Sequence, residues 1–170
     1  MRSGIVCGLV VGGVLAGAAL AAEQRPVEPG GKIGAMTVVR GHDYDADINV
    51  NSVCAAWIPR AGKYHRSCSV PKVPRLYIGV GWAAPPQKER ELDNVWKQFR
   101  WRLSVDGRPV DLPRFGAYDD AGRYPNGKPA VFRNWKVILS GAPSGTHTIH
   151  YTWHIPSGSV DFTMEVTIGS

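Results

Sequence analysis

The stretch THTIHYTWHI, residues 146–155, is followed by PSGS and then by VDFTMEVTI, residues 160–168. In both arms apolar and polar side chains alternate with a period of two, which is typical of strands with one buried face. The proline, serines and glycine between the arms favour a turn. The stretch therefore predicts a β-hairpin with one face in the core and the other in water.

The same alternation predicts a register for this hairpin. Closing the chain over a four-residue turn places Trp153 opposite Phe162 on the apolar face and His150 opposite Glu165 on the polar face. A slip of one residue would move the charged side chains into the core. His154 follows His150 by four residues, which on a strand is about 13 Å and too far for the two rings to share a metal ion.

Shorter patterns predict the rest of the domain. Alternation predicts strands at 36–39, 76–82, 99–105, 110–112 and 135–139, with Asp106-Gly107 as a two-residue hairpin turn. Gly79 and Gly81 indicate a bulge or a close approach of backbone. Helical spacing of apolar residues predicts one short helix over 87–98, and 116–130 reads as a long polar loop. About seven or eight strands without a βαβ alternation predict an all-β, two-layer antiparallel β-sandwich.

Length and composition agree with one domain. The chain has 170 residues, of which 44% are hydrophobic and 20% charged. It is too short for an α/β barrel of about 250 residues and too apolar for a disordered chain.

The first residues are typical of an export signal. Arg2 supplies a positive charge, residues 4–22 are apolar or small, and the run ends in Ala19-Leu20-Ala21, which fits signal peptidase. We expect a signal peptide over 1–22, with an uncleaved membrane anchor as the alternative. An extended linker over 23–35 and a single domain over 36–170 follow. The mature chain would work in the periplasm or outside the cell, without stable membrane insertion.

Two cysteines remain after the predicted cleavage, Cys54 and Cys68. In an exported chain an even pair indicates a disulfide. It would close a loop of about 15 residues, which the chain-entropy model values at about 3 kcal/mol.

Residues 139–151, LSGAPSGTHTIHY, resemble the corner that leads into the penultimate strand of immunoglobulin-like and fibronectin type III-like domains. In those domains a tyrosine bonds back to the corner, and His147 occupies its position here, where a histidine is able to make the same bond. The segment from Trp82 to Phe99 and the turn Asp106-Gly107-Arg108-Pro109-Val110 extend the likeness, so that residues 74–168 resemble a group of exported bacterial proteins. The resemblance implies an immunoglobulin-like fold and supplies no activity.

A basic segment suggests a binding role. No acidic residue lies between Asp47 and Glu89, whereas six lysines and arginines do. Outside the cytosol, acidic glycans and envelope polymers are natural partners for such charge, and an exposed tryptophan would stack on a sugar ring. The candidate binding residues in segment 57–75 are Trp57, Arg60, Lys63, Tyr64 and Arg66. The alternatives are a solvated surface that keeps the domain soluble or a docking surface for another exported protein; no nucleic-acid-binding motif is present.

Asp43, Asp45 and Asp47 alternate along the chain, which suits the oxygen ligands that Ca²⁺ prefers. The EF-hand pattern is not met, because Ile48 and Cys54 stand where it needs glycine and glutamate. The alternative is a polar strand edge whose acids discourage pairing.

Enzyme motifs are missing from the sequence, which contains no G-x-S-x-G, no H-E-x-x-H and no phosphate-binding glycine loop. We therefore expect an exported, non-catalytic β-sandwich module without a cofactor, with a structural or binding role. A domain that binds glycans or anionic polymers through segment 57–75 is the alternative. A small secreted hydrolase or metal-dependent enzyme is favoured less.

Overall fold

The computed structural model describes residues 25–54, 61–155 and 158–169, and the predicted signal peptide over 1–22 lies outside them. The described residues form the strands β1 (Lys32–Ile33), β2 (Met36–Arg40), β3 (Ile48–Asn49), β4 (Gly62–Val70), β5 (Arg75–Tyr77), β6 (Gly81–Ala84), β7 (Arg102–Val105), β8 (Arg108–Val110), β9 (Ala117–Arg123), β10 (Pro129–Trp135), β11 (Val137–Ser140), β12 (Gly145–Ile155) and β13 (Gly158–Ile168). The helices are α1 (Val50–Val53), α2 (Glu89–Gln98) and α3 (Leu112–Phe115).

The strands form three sheets. The hairpin sheet has the order β4-β13-β12-β7-β8, the partner sheet has the order β1-β2-β11-β5-β3, and the small sheet has the order β6-β10-β9. Neighbouring strands are antiparallel, apart from the parallel pairs β4–β13 and β3–β5. Each parallel pair includes an edge strand of its sheet. The sequence predicts antiparallel strands only, because alternation of apolar and polar residues does not reveal the direction of a strand.

The hairpin sheet and the partner sheet share one core. Val38, Leu76 and Leu139 of the partner sheet belong to the same buried cluster as Ile149 and Phe162 of the hairpin sheet. The Tyr151 hydroxyl also donates a hydrogen bond across the core to the carbonyl of Ile78. The described residues therefore form an all-β sandwich, as the alternation predicts.

The long hairpin β12–β13 has its predicted faces but a different register. Trp153 pairs with Val160 and Tyr151 with Phe162, and the paired residues reach Ile155 and Gly158. The predicted pairing of Trp153 with Phe162 is wrong by two residues. A shift of two leaves every side chain on its face, so alternation fixes the faces without choosing among such registers.

Residues 25–35 belong to the domain and are not a free linker. The Val27 backbone bonds to Pro109 and Asp111 beside β8, and its side chain is buried. Ile33 in β1 pairs with Met36 and is also buried. These two isolated apolar side chains are buried in the domain, although they form no pattern along the sequence.

The predicted strand over 76–82 is divided between two sheets. β5 pairs with β11 in the partner sheet, whereas β6 pairs with β10 in the small sheet. Backbone bonds from Ile78 to Val137 and from Trp135 to Val80 continue the pairing through the bend. A Cβ at Gly79 would lie 1.8 Å from the Trp135 carbonyl oxygen, so the predicted close approach of backbone is confirmed there.

Residues 116–130 are not a loop. They contain β9 and the start of β10, which pair from Ala117–Trp135 to Arg123–Pro129. Most side chains of β9 are exposed. The strand therefore lacks the buried alternation that reveals a strand in a sequence.

The predicted helix is confirmed as α2, whose Leu92 is buried. An aromatic cluster packs beside this helix. Its ring contacts are Trp82–Phe99, Trp96–Trp101, Trp96–Trp135, Phe99–Trp101 and Trp101–Trp153. The described tryptophans thus belong to the packing of the domain.

Candidate functional site

The candidate residues of segment 57–75 do not converge where they are described. Trp57 and Arg60 lie outside the described residues. Lys63 aligns with Asp161 on the polar face of the hairpin sheet, while Arg66 aligns with Met164 on the opposite face. Tyr64 is half-buried and packs against the core. A site that uses Lys63, Tyr64 and Arg66 together is therefore not assembled.

The predicted disulfide is present. Cys54 follows α1, Cys68 lies on β4, and their Cα atoms are 5.4 Å apart. The bond fastens α1 to the edge of the hairpin sheet. This position matters because α1 forms one wall of the cleft described below.

Two of the three aspartates proposed as calcium ligands, Asp45 and Asp47, accept hydrogen bonds from backbone N–H groups. The Asp45 carboxylate accepts a hydrogen bond from the His42 backbone N–H at 2.8 Å, which lowers the pKa of Asp45. The Asp47 carboxylate accepts one from the Arg75 N–H, also at 2.8 Å. Among the described residues, no three histidine, cysteine or acidic side chains are grouped as metal ligands. The calcium site stays a prediction from residue spacing.

An open cleft of about 740 Å³ lies between α1 and one face of the small sheet. Strand register places Gly81 and Ala83 of β6, Phe132 and Asn134 of β10, and Asp120 and Gly122 of β9 on this face. Gly81, Gly122 and Ala83 have no side chain or a small one. The cleft therefore forms where few side-chain atoms cover the backbone of the sheet. Its volume lies in the range of ligand sites, about 300–1,000 Å³.

The polar side chains of the cleft include three asparagines. Asn49 caps α1 by accepting hydrogen bonds from the N–H groups of Asn51 and Ser52. Asn51 donates its amide N–H to the Gly79 carbonyl, while its buried Oδ1 has no partner among the described residues. The Asn134 Oδ1 lies 2.2 Å from where a Cβ of Gly81 would be, so glycine is what admits this amide.

Phe132 provides an aromatic surface in the cleft. Its ring lies over Gly122, with a ring carbon 3.0 Å from the Cβ position there, and contacts Tyr124 at 6.2 Å between centroids. The ring is half-buried, so part of it faces solvent. The charged side chains that line the described part of the cleft are the carboxylates of Asp43 and Asp120 and the guanidinium of Arg123.

Tyr77, at the base of the cleft, is a structural phenol. Its hydroxyl donates to the Trp135 carbonyl at 2.9 Å and accepts from Tyr118 at 3.4 Å. Burial raises the pKa of Tyr77 far above its ordinary value, and burial also raises the pKa of Tyr118. Both hydroxyls therefore stay neutral at physiological pH and do not act as bases.

Arg133 links the small sheet to α2 on the face that points away from the cleft. Its side chain bonds to the Asp119 carboxylate on β9 through Nε at 2.6 Å, and to Asp93 on α2 through Nη1 at 2.6 Å. The hydrogen bond from Arg133, with its charge, lowers the pKa of Asp93. The guanidinium thus joins the hairpin β9–β10 to the helix on the face away from the cleft.

Sequence reasoning missed this cleft. The residues that form it are small or polar and are drawn from 43–52, 77–83 and 120–134, with no shared motif. The glycines at 79 and 81 were the available signal, since they indicated close backbone approach at the bend that forms the cleft base.

No protein-family model matches the sequence, and no curated protein does. Among solved structures, PbICP-C in complex with falcipain-2 is 16% identical and covers 65% of this chain and 92% of its own, with a TM-score of 0.34. The cysteine protease inhibitor EhICP2 from Entamoeba histolytica is 15% identical and covers 64% and 87%, with a TM-score of 0.28. Amebosin is 10% identical and covers 64% and 100%, with a TM-score of 0.29. Likenesses of this size carry no argument about function.

Within the described residues, no helix is both long and apolar enough to cross a membrane.

Proposed function

We propose that the chain is the non-catalytic binding module of an exported protein, and that it binds a neutral glycan in the cleft beside α1. The observation that carries this proposal is the lining: asparagine amides and a partly exposed phenylalanine on a floor of glycine and alanine. Export is supported by the signal-like residues 1–22 and by the Cys54–Cys68 disulfide.

The amides match the hydrogen-bonding needs of sugars. A hydroxyl group both donates and accepts, and an asparagine amide offers an N–H₂ donor and a carbonyl acceptor. In Asn51 the N–H₂ group is held by Gly79, which leaves the buried Oδ1 in need of a donor. A buried acceptor without a partner costs about 1–3 kcal/mol. This oxygen exposes less than 1 Å² to solvent, so a sugar hydroxyl in the cleft satisfies it only when the Asn51 side chain moves.

The aromatic ring and the charged side chains of the cleft further restrict the class of ligand that fits it. The exposed part of Phe132 offers an apolar surface to the C–H face of a sugar ring, while the amides bind the ring's hydroxyls. Asp43 and Asp120 line the cleft against one cation, Arg123. An anionic polymer would meet these carboxylates, so the cleft favours a neutral glycan even though the chain carries a net charge of +6.

A binding role without chemistry is also supported by the hydroxyls at the base of the cleft. Tyr77 donates to a backbone carbonyl, and burial keeps its pKa high. Tyr118 donates to Tyr77 and accepts from the Asp43 N–H at 3.3 Å. Both phenols are committed to the fold and neither is poised as a nucleophile.

The test is a binding titration of the full exported chain against neutral hexasaccharides of glucose (cellulose- and starch-type linkages), xylose and N-acetylglucosamine. We expect at least one of them to bind. Phe132→Ala and Asn134→Ala should each weaken that binding about tenfold, which corresponds to about 1.4 kcal/mol. Asn94→Ala removes an exposed asparagine of α2 outside the cleft and serves as the matched control, with unchanged affinity.

Thermal melts of all variants separate lost binding from lost folding. The proposal fails when a folded wild-type chain binds none of the neutral glycans, or when folded Phe132→Ala and Asn134→Ala bind as tightly as Asn94→Ala.

A further inference from the structure

The hairpin sheet carries a second surface that the cleft does not use. We call it the outer face: the side of the hairpin sheet that points away from the core. Its charged and titratable residues are Lys63 and His65 on β4, Asp161 and Glu165 on β13, His150 and His154 on β12, and Arg102 on β7. The face is open, since the His65 side chain is 58% and the His150 side chain 38% exposed.

Histidines are concentrated on this face. The chain has five histidines, and three of them, His65, His150 and His154, lie here. His65 and His150 align with Thr163 between them, so their strands are about 10 Å apart. Histidine is the side chain whose ordinary charge change falls between about pH 5 and 8.

Each carboxylate of the outer face contacts a histidine. The His150 Nε2 lies 2.8 Å from the Asp161 carboxylate, and the His65 Nε2 lies 3.6 Å from that of Glu165. His154 contacts the Ser159 hydroxyl at 3.0 Å. With neutral histidines, Lys63 and Arg102 are balanced by the two acids. When the three rings are protonated, five cations face two carboxylates.

Charged side chains of the neighbouring elements lie around the histidine rings. From β13 the groups that face His65 and His150 are Asp161 and Glu165, and from β7 Arg102 lies beside the β12 residues. Arg100, which is exposed, lies just before β7 at the end of the sheet where His154 lies. No further acid aligns with the outer face among the paired positions of the described strands.

We propose that the outer face is a second binding surface, which takes an acidic polysaccharide strand and does so in mildly acidic conditions. Hydroxyl side chains among the cations supply hydrogen bonds to sugar hydroxyls, namely those of Ser104, Thr152, Ser159 and Thr163. The large exposed apolar side chains among the described residues, Tyr44 and Val53, lie elsewhere. A polar face without a large exposed apolar side chain to insert suits a polymer strand rather than a lipid bilayer.

The test measures binding of the full chain to polygalacturonate at about pH 5.5 and about pH 7.5, the range in which histidine changes charge. We expect at least about tenfold tighter binding at the lower pH, weakened by added salt because the contact is electrostatic. Neutral dextran, as the probe without charge, should show no such gain. Vesicles of equal parts phosphatidylglycerol and phosphatidylcholine should bind less than polygalacturonate.

Two variants locate the effect. His65→Gln with His150→Gln should remove most of the gain at low pH while the protein stays folded. His42→Gln is the matched control, because His42 contacts Asp45 and the rings of Tyr44 and Tyr118 away from the outer face. Phe132→Ala, which damages the cleft, should leave polygalacturonate binding unchanged.

The outer-face proposal is overturned by equal affinity at the two pH values, by a gain that survives in the double variant, or by vesicles that bind as tightly as the polymer. None of these results depends on whether the cleft binds a neutral glycan.

Discussion

His147 shows at the scale of one residue how this corner of the sandwich is held. Its Nδ1 lies 2.8 Å from the Asp106 carboxylate and its Nε2 lies 3.0 Å from the Pro143 carbonyl oxygen. The second contact is the bond back to the corner that the resemblance to immunoglobulin-like domains implies for this position. Asp106 also accepts from the Thr148 N–H, so one carboxylate ties the β7–β8 turn to β12. The left-handed φ of 48° at Asp106 and 75° at Gly107 suits such a turn.

We expect His147→Phe to lower the free energy of unfolding by about 1–3 kcal/mol, because it leaves the Asp106 carboxylate and the Pro143 carbonyl with one partner fewer. Urea unfolding followed by tryptophan fluorescence measures the change. His154→Gln, on the exposed end of the same strand, should change stability by less than about 0.5 kcal/mol. Equal losses in the two variants would show that the corner bonds do not stabilise the fold.

At the scale of elements, the hairpin β9–β10 is positioned by its attachment to α2. Arg133 lies between Asp119 of the same hairpin and Asp93 of the helix. The opposite face of this hairpin lines the cleft, so the ion pairs set the cleft wall without entering the cleft. Their breakage should loosen the binding site before it unfolds the core.

The pH dependence of this attachment has a definite sign. The hydrogen bond and charge of Arg133 hold the pKa of Asp93 below its ordinary value in the folded state. The stabilisation is therefore complete above the unfolded pKa of about 4, and it is lost as the pH falls through the lower folded pKa. We expect Asp93→Asn to be less stable than wild type at neutral pH, with a difference that shrinks below about pH 3.

Urea unfolding across this pH range measures the difference. Glu89→Gln, which removes another exposed acid of α2, is the control and should not reproduce it. A gap between wild type and Asp93→Asn that stays constant down to low pH would contradict the ion-pair account.

The same elements show what a sequence pattern can predict. Alternation in β12 and β13 identifies a hairpin and its buried face, because burial of every second side chain is what the pattern records. It does not distinguish registers that differ by two residues, since such a shift leaves each side chain on the same face of the sheet. β9 has no buried alternating face, so the hairpin that lines the cleft left no pattern and was predicted as a loop.

At the scale of the whole molecule, a sandwich core supports two surfaces of different chemistry. The partner sheet bends at Gly79 into the small sheet, and this bend opens the cleft beside α1. The hairpin sheet turns its polar side outward with three histidines. The all-β class and the disulfide could be predicted because they depend on local pattern and residue type. The cleft could not, because it combines residues brought together only by the bend.

The central claim is that the cleft beside α1 holds a neutral glycan. The most direct measurement is the change in backbone amide NMR shifts of the isotope-labelled chain when the best-binding neutral hexasaccharide is added. The proposal predicts that the shifted amides cluster at Asn51, Gly81, Gly122, Phe132 and Asn134, all of which line the cleft. Saturable shifts centred on the outer face, with the cleft amides unmoved, would contradict it.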